Sequence, residues 1–338
     1  TDTMYITVDK EAVRRSGMRL PAADSIPDRM VISLKGQNRL IKNDLMMLEM
    51  LAQSNWSRPM YIASTVGTDN YRPLAKNIIR EGLNYRIVPY TTDGESTIDP
   101  DKTYELLMNK FLWGGLESDG LYLDQTIYRM CCTHRRLFAE TATALIAEGK
   151  TDKAAKLLAK MEKVLPDSYM TPDYISGTLD IISAYITLGD KKHAQDKLDK
   201  AWKNTSQYLD WYSALPESKR ALEESDCITY CATNIDIPAF YAQLGQTDKA
   251  RQTADKLWNT AVWYLDRFMQ QSTGAIAAGY SRFERYYVRT LYGLCTAMEG
   301  VDDAWADSHA AVFNDYYRKM QVLLYQSQNG GLPTIGTE

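Results

Sequence analysis

One turn that occurs three times constrains this chain more than anything else in it. Gly149-Lys150-Thr151-Asp152-Lys153-Ala154 returns as Gly189-Asp190-Lys191-Lys192-His193-Ala194 and as Gly245-Gln246-Thr247-Asp248-Lys249-Ala250: Gly, four residues, then Ala. Glycine takes the left-handed conformation that ends a helix at no steric cost. Thr151 and Thr247 are then suited to cap the next helix, and Asp152 and Asp248 to sit at its positive N-terminal end. The small Ala lets two helices pack closely. Around the first turn the pattern extends to Ala142, Leu158, Met161 and Pro166, and Tyr185 and Tyr241 each precede their Gly by four. This is the signature of helical hairpins of the tetratricopeptide type. The spacing is uneven, 40 residues from Gly149 to Gly189 and 56 from Gly189 to Gly245, against about 34 in the standard repeat. The longer unit holds Gln207 to Ser225, with Tyr208, Trp211, Tyr212 and Pro216, and Gly293 and Gly300 mark a last, degenerate hairpin.

Upstream of Pro100 the signals alternate. Runs at Met4–Val8, Met30–Leu34, Met60–Ala63 and Tyr85–Val88 have strand length and strand composition. Leu40 to Leu51 repeats apolar residues at helical spacing, and Pro73 to Glu81 reads as a short helix stopped by Gly82. The expected fold class is mainly α: a divergent tetratricopeptide-like helical-hairpin array over 101–330, preceded by a small α/β unit over 1–100 and followed by a flexible tail over 331–338.

A net charge of −4 with both signs interspersed argues against a nucleic-acid partner, whose phosphates call for a dense basic surface. No apolar run approaches the length that crosses a bilayer, and no signal peptide opens the chain. The abrupt start at Thr1 suggests a fragment of something longer. Cys131, Cys132, Cys227, Cys231 and Cys295 form no CxxC pair, so a structural zinc site is not expected, and buried thiols in a reducing compartment are the simplest account. His134, His193 and His309 sit on separate helical units, so neither a metal nor a cofactor is expected. The motifs of nucleotide binding, zinc peptidases and serine hydrolases are absent. A helical glycosidase would need two close carboxyls beside aromatics, and Asp124, Asp210, Glu284 and Asp315 lie near aromatic residues in sequence. The tyrosines and tryptophans read chiefly as inter-helix core; the functional alternative is a peptide or sugar groove on the array's concave face.

One segment is not ordinary repeat. Trp113, Gly114 and Gly115 make a sharp loop where the two parts meet, and Asp124 and Arg129 follow on the next helix. These five are the candidate binding residues, as a domain-joining turn anchored by Trp113 or as a docking loop. The runs Trp56-Ser57-Arg58-Pro59-Met60-Tyr61, Glu81-Gly82-Leu83-Asn84-Tyr85-Arg86 through Pro89, and Trp113-Gly114-Gly115 to Asp124 with Arg129 resemble blocks of a large family, common in Bacteroidetes, of multi-pass membrane proteins of unknown function (domain of unknown function 2723). That family is in turn similar to protein O-mannosyltransferases. The resemblance implies the soluble C-terminal region of a membrane glycosyltransferase on the periplasmic side, without the membrane loop that carries catalysis, so no catalytic residue transfers to this chain. The expected function is a non-catalytic accessory region that binds a protein or peptide, including the membrane-embedded half of the same polypeptide, with a glycan as a further partner. The rivals are a free-standing adaptor, which would be cytoplasmic, and a helical carbohydrate-active enzyme.

Overall fold

The computed structural model describes residues 2–21, 25–35, 39–118 and 120–329. The expected flexible tail over 331–338 lies outside them. The chain is mainly helical, with a small β-sheet unit at its N-terminus. It divides into two compact units, Thr1–Glu117 with Glu140–Val164, and Ser118–Ala139 with Leu165–Glu338. The units therefore do not follow the sequence boundary at residue 100. Among the described residues no helix is long and apolar enough to cross a membrane.

The first unit opens with strand β1 (Thr3–Thr7), helix α1 (Lys10–Arg15), β2 (Arg29–Ser33), α2 (Lys42–Ser54) and β3 (Tyr61–Ala63), then β4 (Ile78–Glu81), β5 (Asn84–Ile87) and α3 (Pro100–Glu105). Two antiparallel sheets form, β1–β2 and β3–β5–β4. The four sequence-predicted strands are present. The helix expected over Pro73–Glu81 is not: a 3-10 turn spans Arg72–Leu74, and Ile78–Glu81 is the strand β4, buried along its whole length. Its two adjacent β-branched isoleucines suit a strand covered on both faces. Gly82, at φ +65°, turns the β4–β5 hairpin instead of ending a helix. In α2, Leu48 and Leu51 enter a core shared with Ile6, Met30, Ile32, Trp56 and Leu74.

This helix begins oddly. Its N-cap residue is Ile41, which has no side-chain oxygen to offer the first turn; instead Asp44 accepts the Ile41 backbone N–H at 3.0 Å. Ser or Asp is the usual choice at such a position. Ile41→Ser should therefore stabilise the chain by about 1 kcal/mol, read as a shift in the urea midpoint. Loss of stability would show that Ile41 contributes packing that offsets the missing cap.

Helices α4 (Gln125–Ala147) and α5 (Thr151–Val164) follow. The second unit continues with α6 (Thr178–Leu188), α7 (Lys191–Ala214), α8 (Glu217–Leu222), α9 (Glu224–Thr233), α10 (Ile237–Gln243), α11 (Thr247–Met269), α12 (Thr273–Ala278) and α13 (Tyr280–Arg282). A π-helical stretch, Phe283–Val288, leads from α13 into α14 (Arg289–Met298), and α15 (Asp303–Asn329) is last. The three repeated turns close alike. Lys150, Asp190 and Gln246 donate their N–H to Leu145, Tyr185 and Tyr241, and each glycine N–H bonds the carbonyl after that, Ile146, Ile186 and Ala242, at 2.8–3.0 Å. Gly149, Gly189 and Gly245 have φ of +74°, +83° and +81°, so each is the left-handed residue of a Schellman closure. The caps differ from expectation: Thr151 and Thr247 are the first residues of their helices, and the N-cap side chain that works is Asp190, bonded to the His193 N–H. Ala154, Ala194 and Ala250 are fully buried. Ala154→Leu should cost about 1–3 kcal/mol through overpacking; a neutral result in calorimetry would mean the close contact has room to spare.

In the second unit α6 and α7 pair, as do α10 and α11, and α14 and α15. Successive hairpins also touch, α6 with α10 with α14 and α7 with α11. A ladder of polar contacts ties the longer helices together. Tyr241 and Lys249 donate to Asp199, Lys256 pairs with Asp210, Trp305 Nε1 donates to Asp255 at 2.6 Å, and Tyr316 donates to Asp266. Asp199 and Asp255 are 56 residues apart, as are Asp210 and Asp266, so the acceptors themselves repeat.

Candidate functional site

The five sequence-predicted residues divide between the two units: Trp113, Gly114 and Gly115 belong to the first, Asp124 and Arg129 to the second. Trp113 is half-buried, its ring 6.1 Å from that of Phe111. Gly114 and Gly115 are exposed, with φ of +61° and +85°, so the sharp loop is real and needs glycine. Asp124 precedes α4 and caps it, accepting the backbone N–H of Thr126 at 2.7 Å and of Ile127 at 3.0 Å. Arg129 is exposed on the first turns of that helix.

The four carboxylates singled out for hydrolysis each have a separate engagement. Asp124 is that cap, Asp210 pairs with Lys256 and Asp315 with Lys319, both at 2.7 Å, and Glu284 hydrogen-bonds the Tyr280 hydroxyl. The histidines are likewise apart: His193 stacks on Tyr185, while His309 lies against Trp258 and Trp305. Among the described residues no group of three or more His, Cys, Asp or Glu side chains could hold a metal ion. All five cysteines are free and buried. Burial pushes the Cys131 and Cys132 thiols up, and the Cys295 thiol to about 11, which keeps them protonated and unreactive.

The sequence did not single out the cluster at the start of the first helix of each hairpin in the second unit. Asp180 lies in the first turn of α6, Asp236 just before α10, and Arg289 opens α14; Arg136 projects from α4. All four reach solvent. Gly177 brings the chain against Arg136, since a Cβ there would sit 2.6 Å from the Arg136 Cγ. Crowding by protein pushes the Asp180 carboxyl above the usual range against the pull of Arg136, and the charge of Asp236 adds to the rise. Asp236 is pushed up in the same way, opposed by Arg289. Asp173, on the approach to α6, is also raised by burial, although it accepts the Ser176 N–H at 2.8 Å.

An aromatic group lies within reach of the Asp173 charge. The Tyr174 and Tyr230 rings meet edge-on at 5.6 Å, and Tyr208 packs on Tyr230 at 5.1 Å. Asn204 donates to the Tyr230 hydroxyl at 3.1 Å. Tyr208 and Trp211 expose about half their surface, 45% and 52%, enough to offer ring faces to a partner. Half-exposed aromatics can anchor a partner, and charged groups can set its register. Periodicity could flag Tyr208 and Trp211 as departures from the repeat. It could not bring Asp180 and Asp236 together, because only the stacking of α6 on α10 does that.

Two of the blocks that carry the family resemblance hold buried polar networks. Trp56 is buried, with φ +62°, and its Nε1 donates to the Thr7 carbonyl at 3.0 Å. Glu81 and Arg86 flank the β4–β5 turn and face each other, both almost wholly buried, at 3.4 Å; Tyr61 donates to Glu81 at 2.8 Å and Arg86 to the Ser16 carbonyl at 2.9 Å. The chain has no match among curated proteins or solved structures. Residues 1–103, the stretch that holds both of these networks, match the family model described as TMEM260-associated domain 2, a domain associated with a membrane protein.

Proposed function

We propose that this chain is a non-catalytic accessory region of a larger membrane protein, and that it holds a protein partner. The observation that carries the reading is the match of residues 1–103 to a membrane-protein-associated domain, within a chain whose other unit is stacked helical hairpins. Helical hairpins of the tetratricopeptide type serve widely as peptide-binding scaffolds, and the surface around Tyr174, Tyr208, Asp180 and Asp236 is the place for such a partner. The parent is a glycosyltransferase-like protein that uses a lipid-linked sugar, with this region on the periplasmic side. That part of the reading rests on the resemblance of the Trp56, Glu81 and Trp113 blocks. Five buried, free thiols are compatible with an oxidising compartment, because a buried thiol is shielded from exchange.

Two measurements test this. The purified chain, given polyprenyl-phosphate sugars and periplasmic acceptor proteins, should form no glycosylated product; turnover abolished by changing a carboxylate here would overturn the non-catalytic assignment. A purified acceptor of the full-length protein should bind the chain, and Asp180→Asn with Asp236→Asn should weaken that binding about tenfold, the loss expected for charges at an interface centre. Unchanged binding would remove this surface from the proposal.

A further inference from the structure

The outward side of α2 is apolar where folding does not require it. Its inward side is accounted for by Asp44, Leu48 and Leu51, all buried. On the opposite side Ile41, Leu45, Met46 and Met50 are 46%, 51%, 55% and 59% exposed, more than scattered surface apolars need. Ile41 also occupies a cap position for which its side chain is unsuited. The four fall into two pairs at i, i+4 spacing, Ile41 with Leu45 and Met46 with Met50, on either flank of the outer side. Between them lie Lys42, Glu49 and Gln53. Glu49 is already bonded by Gln53 at 2.8 Å, and the nearby Asp69 by Arg72. The basic groups are open: Arg39 before the helix, Lys42 in its first turn and Arg58 beyond its end are all exposed.

We propose that this side of α2 is a lipid-contact surface that lies on the head groups of an anionic bilayer. The reading of the matched unit as part of a membrane protein, on which the proposal rests, supplies the bilayer. A partner helix would ask for one continuous apolar stripe. Two apolar flanks with long polar side chains between them suit a head-group layer instead, because Lys42 and Gln53 can extend upward while the flanks enter the acyl boundary. Methionine, unbranched and adaptable, fits an irregular medium. Arg39 and Lys42 at one end and Arg58 at the other place positive charge at both ends of a contact about 20 Å long, where anionic head groups would pair with them.

The test is flotation of the whole chain with vesicles of phosphatidylglycerol and phosphatidylcholine, and with vesicles of phosphatidylcholine alone. The chain should float with the anionic vesicles, several-fold less at high salt and less with the neutral ones. Met46→Glu with Met50→Glu should lower the bound fraction at least about tenfold while leaving the thermal midpoint unchanged, since both side chains are exposed. Failure to float, or equal flotation of the double variant, overturns the proposal. So does binding that appears only when a membrane protein is reconstituted in the vesicles, which would make this a protein contact. Membrane fractionation of the full-length product tests the accessory reading separately: a full-length protein that sediments with membranes, alongside a chain that does not float, leaves that reading standing without the lipid contact.

Discussion

Replacing Asp167 with alanine is expected to remove about 3–5 kcal/mol of folding stability. Asp167, between α5 and α6, accepts from the fully buried guanidinium of Arg135 at 3.1 Å and from the almost fully buried ammonium of Lys197 at 2.6 Å. Removing it leaves two buried cations without the carboxylate they share, which is the costly way to break a buried ion pair. Burial alone would push the Asp167 carboxyl up, but Lys197 and then Arg135 outweigh burial and hold it below the usual range. Its pKa is therefore lower folded than unfolded, where it is about 3.9. The stability it contributes is complete above that unfolded value and is lost as the pH falls through the folded one. Urea titrations of the wild type and of Asp167→Ala should differ by a constant amount from about pH 5 to 8 and converge in stronger acid. A difference under about 1 kcal/mol at neutral pH would mean that the remaining partners of Arg135 and Lys197 suffice to hold both cations.

Trp56→Ala should have a comparable effect on the first unit, about 3–5 kcal/mol, as for other truncated core aromatics. Asn55 and Trp56 both adopt left-handed backbone, φ +44° and +62°, a conformation that bulky residues avoid unless their surroundings enforce it. Here the indole does so: it is buried in the core beside Leu48 and Leu51, and its N–H ties the end of α2 to β1 through Thr7. Trp56→Phe keeps most of the bulk and gives up the hydrogen bond, so it should cost less, about 1–3 kcal/mol. Calorimetry of the two variants separates packing from the bond. If both cost the same, the hydrogen bond carries the anchor; if neither costs more than about 1 kcal/mol, the strained turn is held elsewhere.

How much of this could be read in advance varies by element, for physical reasons. The Gly turns were legible because one backbone conformation demands one residue type, and the structure closes all three with the same pair of hydrogen bonds. The strands β1, β2, β3 and β5 were legible from β-branched and aromatic runs. β4 was misread because Pro73 and Gly82 bracket Ile78–Glu81 like the ends of a helix, whereas Pro73 belongs to a 3-10 turn and Gly82 to a hairpin. The loop at Trp113–Gly115 was found as a loop, but Asp124 turned out to cap a helix. The buried charges of Glu81, Arg86, Arg135 and Lys197 gave no signal, since a lone charged residue in sequence looks like surface until its partner is brought to it. Asp180 and Asp236 were equally silent, being 56 residues apart.

The acid ladder of the longer helices has a consequence for register. Each row offers carboxylates to the next: Asp199 and Asp210 from α7, Asp255 and Asp266 from α11. The same step of 56 residues from Asp255 and Asp266 lands on Ala311 and Val322 of α15. The acceptor code stops there. A helix presenting the donors of α11 or α15 would find no carboxylate waiting at those places. A rung written in alanine and valine can make apolar contact but cannot supply the charge pairing that sets register between α7, α11 and α15.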